Sequence, residues 1–243
     1  MCRDAGESAL RLYELAYICR IYGGFTTFDG TYSALLDKTG LGLDFNDSSH
    51  METLLVWLRS WGCRQFAVDY GDLAAQSIRG WAGRWESRLP ARGMTLDHLQ
   101  DEDIQTVGGA YADLSGCVAS KRIRAAKVHD VQVGPTGAAK ILFAARPETL
   151  PPWDDPIRAR WGLDGSARSY CKYLARVREQ VKQLCGEAAK AGIHPEDIPQ
   201  ELGRPRSTLP KMIDEYNWIT LTRSFLPPEP DEVAKWYGWS RLP

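Results

Sequence analysis

Across residues 166–192, SARSYCKYLARVREQVKQLCGEAAKAG, apolar side chains return every third or fourth position: Tyr170, Leu174, Val177, Val181 and Leu184. That period lines them up along one stripe of an α-helix and leaves the charged residues on the other face, and Gly192 is a natural stop. A stripe this long must be covered by other elements, and the rest of the chain offers mainly helices. In SHMETLLVWLRSWG, Met51, Leu54, Leu55, Leu58 and Trp61 share a face, Ser49 with Glu52 forms a capping-box pattern, and Gly62 ends the run. In STLPKMIDEYNWITLTR, Ser207 is a plausible cap, with Leu209, Met212, Ile213, Tyr216 and Ile219 inward. Shorter helices are predicted over 7–21, 30–38, 70–86, 106–116, 119–128, 136–145 and 156–161. Alternating strand patterns are scarce, RQFAVDY being the one tempting stretch, and loops are predicted over 40–48 and LPPEPDE. The expected fold class is all-α, a single globular domain over residues 1–243.

Charge narrows the partners. Thirty basic residues stand against 31 acidic ones, so a nucleic-acid or membrane partner would need a local basic surface. The opening MCRDAGESALRLYELAY lacks the apolar core of a signal peptide, and no apolar run reaches membrane-spanning length, so a cytoplasmic, membrane-free protein is expected. Six cysteines (2, 19, 63, 117, 171 and 185) are scattered without a CxxC pair, and the four histidines lack ligand spacing. They read as reduced, mostly buried thiols, with neither metal nor cofactor implied. No phosphate-binding Walker loop, serine-hydrolase elbow or dinucleotide fingerprint is present. Nine tryptophans call for a large core or pocket.

The stretch VGPTGAAKILFAARPETLPPWDDPIRARWG, residues 133–162, carries the chemistry. A glycine turn opening a helix presents free backbone N–H groups at the positive end of the helix dipole, where phosphate binds. The preceding SKRIRAAKVHDVQ reads as a basic helix with Lys121, Arg122, Arg124 and Lys127, which would complete a helix-hairpin-helix over about 119–146. Such a device grips one phosphate backbone without reading bases. An ordinary connection between two core helices is the plainer alternative.

The region resembles the helix-hairpin-helix (HhH-GPD) DNA glycosylases of base-excision repair, whose hairpin V-G-x-K-T-A is followed by V-D-T-H-I with a catalytic aspartate. Here VGPTGAA matches the hairpin and WDDPI the second motif, and Asp154 stands twenty residues after Gly134, as in the family's pattern. The resemblance implies a glycosylase-like helical domain, Asp154 as the catalytic carboxylate, and Val133, Gly134, Thr136, Gly137 and Lys140 as nucleic-acid contacts. Trp153 is the candidate pocket residue, with Trp57 and Trp61 read chiefly as core. Two departures matter. Gln132 replaces a usual glycine, and Thr136 replaces the lysine nucleophile of bifunctional members. A hydroxyl cannot form a Schiff base, so hydrolysis without lyase activity is implied. Lys140, one turn on, reads as a helix-surface or phosphate-contacting lysine. Asp155 followed by Pro156 reads as an N-cap with a first-turn proline, leaving Asp154 free, although the two aspartates could exchange roles.

The remaining charged motifs have plainer readings. Lys211 with Asp214 and Glu215 reads as a surface cluster, with participation in a cleft as the lesser alternative, and Arg204, Arg206 and Lys211 read as a solvated loop or a second phosphate contact. Arg59 and Arg64 suit either base stacking or pairing with buried acids. Three functions fit: monofunctional hydrolysis of the N-glycosidic bond of a damaged or modified base in DNA, non-catalytic nucleic-acid binding, and the same chemistry on a free nucleoside or nucleotide.

Overall fold

The computed structural model describes residues 10–25, 29–40, 42–229, 231, 232 and 235, and it is mostly helical. Residues 7–9 of the predicted first helix lie outside this range, as does Cys2. The helices are α1 (Leu12–Phe25), α2 (Asp29–Thr39), α3 (Ser48–Ser60), α4 (Gly71–Trp85), α5 (Asp101–Gly116), α6 (Gly134–Ala145), α7 (Asp155–Arg160), α8 (Ala167–Lys190), α9 (Ile198–Glu201) and α10 (Leu209–Asn217). A π-turn, Trp218–Thr222, continues α10. Two strands, β1 (Val118–Arg124) and β2 (Lys127–Gln132), form an antiparallel hairpin between α5 and α6.

Helix α6 is the centre. Every residue from Gly137 to Ala145 is buried, so it has no solvent face and must be enclosed on all sides. Helices α3 and α5 pack on it, α8 covers α5, and α1 lies against α10. The stripe on α8 is buried as its spacing predicts, and Gly192 takes φ +77° just beyond the helix. Helix α3 likewise buries Met51, Leu54, Leu55 and Leu58, with Gly62 at φ +82°. Trp57, Trp81 and Trp153 are among the largest fully enclosed side chains. Cys19, Cys63 and Cys171 are buried, and Cys117 and Cys185 half-buried, all as free thiols. Among the described residues no helix is long and apolar enough to cross a membrane.

The caps differ in detail from expectation. Asp47, not Ser49, caps α3 by accepting the Ser49 and His50 amides, and Thr208, not Ser207, caps α10. RQFAVDY forms a turn and a short 3-10 helix, Val68–Tyr70, that buries Phe66. The largest correction concerns 119–128, which is not a helix. It is β1, the turn and the start of β2, so the glycine turn at Gly134 is entered from a strand, and no helix-hairpin-helix forms over 119–146. Ala125 and Ala126 occupy the left-handed region at φ +50° and +61°, the pattern of a two-residue hairpin turn.

Candidate active site

The turn into α6 is built by closing the hairpin. The Val133 amide donates to the Cys117 carbonyl at 2.8 Å, and Gln65 Nε2 donates to the Val133 carbonyl at 2.6 Å. Gly134 then reverses the chain at φ +67°. Pro135 follows within the first turn, and no side chain caps the helix. Val133 is fully buried, with its amide and carbonyl both engaged, so it cannot contact phosphate as expected. Gly137 is also buried, for a packing reason. A Cβ there would come within 2.7 Å of Gln65 Nε2 and 3.1 Å of Val133 Cγ1. Of the expected contacts, Gly134 and Thr136 remain partly open to solvent.

The second motif folds across this turn. Trp153 is fully buried, donates from Nε1 to the Pro135 carbonyl at 3.3 Å, and meets Tyr111 and Tyr170 edge to face. Helix α7 begins one residue earlier than predicted, which puts Pro156 in its second position. The capping roles are therefore reversed from the expected ones. Asp154 Oδ1 accepts the Ile157 amide at 3.0 Å, while Asp155 is exposed and ion-paired to Arg158. Thr136 Oγ1 accepts from Arg158 at 3.1 Å and faces Asp155, so its hydroxyl braces α6 against α7.

Asp154 nevertheless faces open space. It lines a cleft of about 450 Å³ that also runs along Trp61, Gly134, Pro135, Thr136 and Lys140. It also borders a recess of about 80 Å³ formed with Tyr22, Trp61, Lys140, Trp153, Asp214 and Trp218. Trp61, Lys140 and Asp154 are common to both, so the recess is the inner end of the cleft. Lys140 is buried here, not on a helix surface, and donates to the Trp61 carbonyl at 2.5 Å. Asp214, half-buried among these aromatics, is pushed up to about 7. Burial is the main cause. The Lys211 and Lys140 charges oppose the shift, and the Asp154 and Glu215 carboxylates add to it.

Behind the recess lies an ion network that the sequence reading placed on the surface. Lys211 is 1% exposed, and its Nζ meets Glu215 at 2.7 Å and Asp29 at 3.3 Å. Arg204 holds both oxygens of the fully buried Glu215, at 2.6 and 2.7 Å, and is not free for phosphate. Arg206 pairs with Asp37 on the surface. The Lys211 ammonium lies 4.7 Å from the Tyr22 ring centroid and 5.1 Å from that of Trp61, so it fixes two walls of the recess. Its protonated form is strongly favoured, because the surrounding carboxylates outweigh burial.

The structure thus brings Trp153, Asp154 and Lys140 to one recess with Asp214, for which a cleft was only the lesser expectation, and adds Tyr22 and Trp218, which sequence reasoning did not single out for a site. The helical spacing of Lys211 and Glu215 on the buried face of α10 was the available signal. Compared with family models, with curated proteins and with solved structures, the chain matches none.

Proposed function

We propose that the protein hydrolyses an N-glycosidic bond, with a damaged or modified base in DNA as the substrate and a glycosylase-like helical domain as the scaffold. The observation that carries this reading is the pair of carboxyl groups, Asp154 and Asp214, lining one aromatic recess beside an uncapped helix start. Breaking such a bond builds positive charge on the sugar while the base departs. Asp154 has one oxygen on the Ile157 amide and a second available to stabilise that charge and take a proton from water. Asp214, held protonated to about pH 7, donates to the leaving base. In balance, the water oxygen bonds to C1′, the C1′–N pair leaves with the base, and the base takes the Asp214 proton. Asp154 accepts the water proton and releases it to solvent, and solvent reprotonates Asp214.

The walls suit a flipped base. Trp61 and Trp218, partly open to solvent, offer apolar faces backed by the enclosed Tyr22 and Trp153, and the cleft outside the recess is of the size that small ligands occupy. Thr136 engages Arg158 and Asp155, which fits hydrolysis without a Schiff base at that position. One observation favours a second reading, non-catalytic nucleic-acid binding: Asp154 already has a structural duty as the cap of α7.

Asparagine caps a helix about as well as aspartate, so Asp154→Asn removes the charge while leaving the cap. A base-release screen on modified duplexes and free nucleosides should show loss of at least about 100-fold in Asp154→Asn and retained activity in Asp155→Asn. Release at the wild-type rate by Asp154→Asn overturns the assignment, and release from nucleosides alone moves the substrate away from DNA.

A further inference from the structure

The β1–β2 hairpin stands at the rim of the cleft, since β2 ends at Gln132, which lines it with Gly134 just beyond. Residues 121–130 are all exposed, and the strands extend roughly 20 Å at about 3.3 Å per residue. Side chains directly opposite in an antiparallel pair share a face. The register pairs Arg122 with His129 and Arg124 with Lys127, and these four residues fall on one face. The other face carries Ile123 opposite Val128, and Lys121 opposite Asp130. Three permanent cations and a histidine therefore share a surface without a carboxylate among them. Among the described residues, none of Arg122, Arg124 and Lys127 has an ion-pair partner. In a chain of net charge −1 this segregation is not a by-product of composition.

We propose that this hairpin is a wing that lays its Arg122–Arg124–Lys127 face along the phosphate backbone of a nucleic-acid duplex, holding the duplex over the cleft. Successive side chains on that face are about 7 Å apart, and neither groove readout nor base contact is needed, so the grip is sequence-independent. On the reverse side Ile123 stands opposite Val128, both largely exposed. The proposal rests on the reading that the cleft acts on nucleic acid, but binding and hydrolysis are separable. The wing takes over the task that the sequence reading gave to a basic helix.

The test is binding of the full chain to a labelled, unmodified 30-base-pair duplex across a salt series. Neutralising three phosphate contacts should reduce the log–log salt slope by roughly 2–3, and the Arg122→Gln/Arg124→Gln/Lys127→Gln variant should bind at least about 10-fold more weakly near 0.1 M salt. Circular dichroism and a thermal melt should match wild type, because all three positions are exposed, and Ile123→Ser should leave the slope unchanged. Duplex binding is read separately from base release, so loss of the salt slope in the triple variant reports on the wing and loss of release in Asp154→Asn reports on the cleft, which separates failure of one from failure of the other. The proposal is overturned if wild type does not bind the duplex, if the triple variant keeps the wild-type slope, or if the variant instead converts a dimer to a monomer. That last result would show that the hairpin meets a second copy.

Discussion

Replacing Asp214 with asparagine should make the fold more stable at high pH and leave it unchanged at low pH. The carboxyl is half-buried between aromatic walls and close to two other acids, and it is raised from its ordinary 3.8 to about 7. The folded protein therefore keeps its proton where the unfolded chain has already released it. The contribution to stability is full below about pH 4, falls as pH rises toward 7, and is lost above it. A displacement of this size corresponds to on the order of 4 kcal/mol between protonation states. Partial solvent contact reduces the expected cost to about 2–3 kcal/mol. Urea unfolding of wild type and Asp214→Asn, at half-unit intervals from pH 4 to 9, reads the difference directly. The curves should coincide near pH 4 and separate by about 2–3 kcal/mol above pH 7.5 in favour of the variant. Parallel curves, or a wild type more stable than the variant at pH 8.5, would refute the assignment of a proton to Asp214.

Two further substitutions probe the frame around the recess. Lys211→Met should destabilise by about 3–5 kcal/mol in urea melts, because it leaves the buried Glu215 with Arg204 alone and removes the cation beside Tyr22 and Trp61. Gly137→Ala should cost about 1–3 kcal/mol by displacing Gln65 and Val133, with a lower Tm despite the better helix propensity of alanine.

The helices were readable because burial imposes a period. Helix α8 meets the core on one face only, so Tyr170, Leu174, Val177, Val181 and Leu184 had to recur at helical spacing, and all are buried. The β-hairpin was not readable for the opposite reason. With residues 121–130 exposed on both faces, no burial period marks the strands, and two alanines stand where asparagine and glycine usually announce the turn. Asp154 and Asp155 exchanged their expected capping roles because α7 starts one residue earlier than a first-position proline implies. Trp153 and Asp154 adjoin in sequence, so their neighbourhood was visible. For Asp214 a cleft was only the lesser expectation, because the burial that changes its chemistry comes from elements far away in the chain. Tyr22 lies on α1, Trp61 follows α3, and Lys211 is buried only because Asp29 and Glu215 compensate it. The spacing of Lys211 and Glu215, one helical turn apart, was the one sign of that burial in the sequence.

In the proposed hydrolysis Asp154 and Asp214 act as a pair, one as carboxylate and the other as acid. The pH dependence of base release tests it most directly, measured as kcat/KM for wild type, Asp154→Asn and Asp214→Asn on a substrate found by the screen. The wild-type rate should fall as pH rises through about 7, the falling limb should disappear in Asp214→Asn, and Asp154→Asn should show no appreciable release at any pH. An Asp154→Asn protein that releases base at the wild-type rate, or an Asp214→Asn protein that keeps the falling limb, would contradict it.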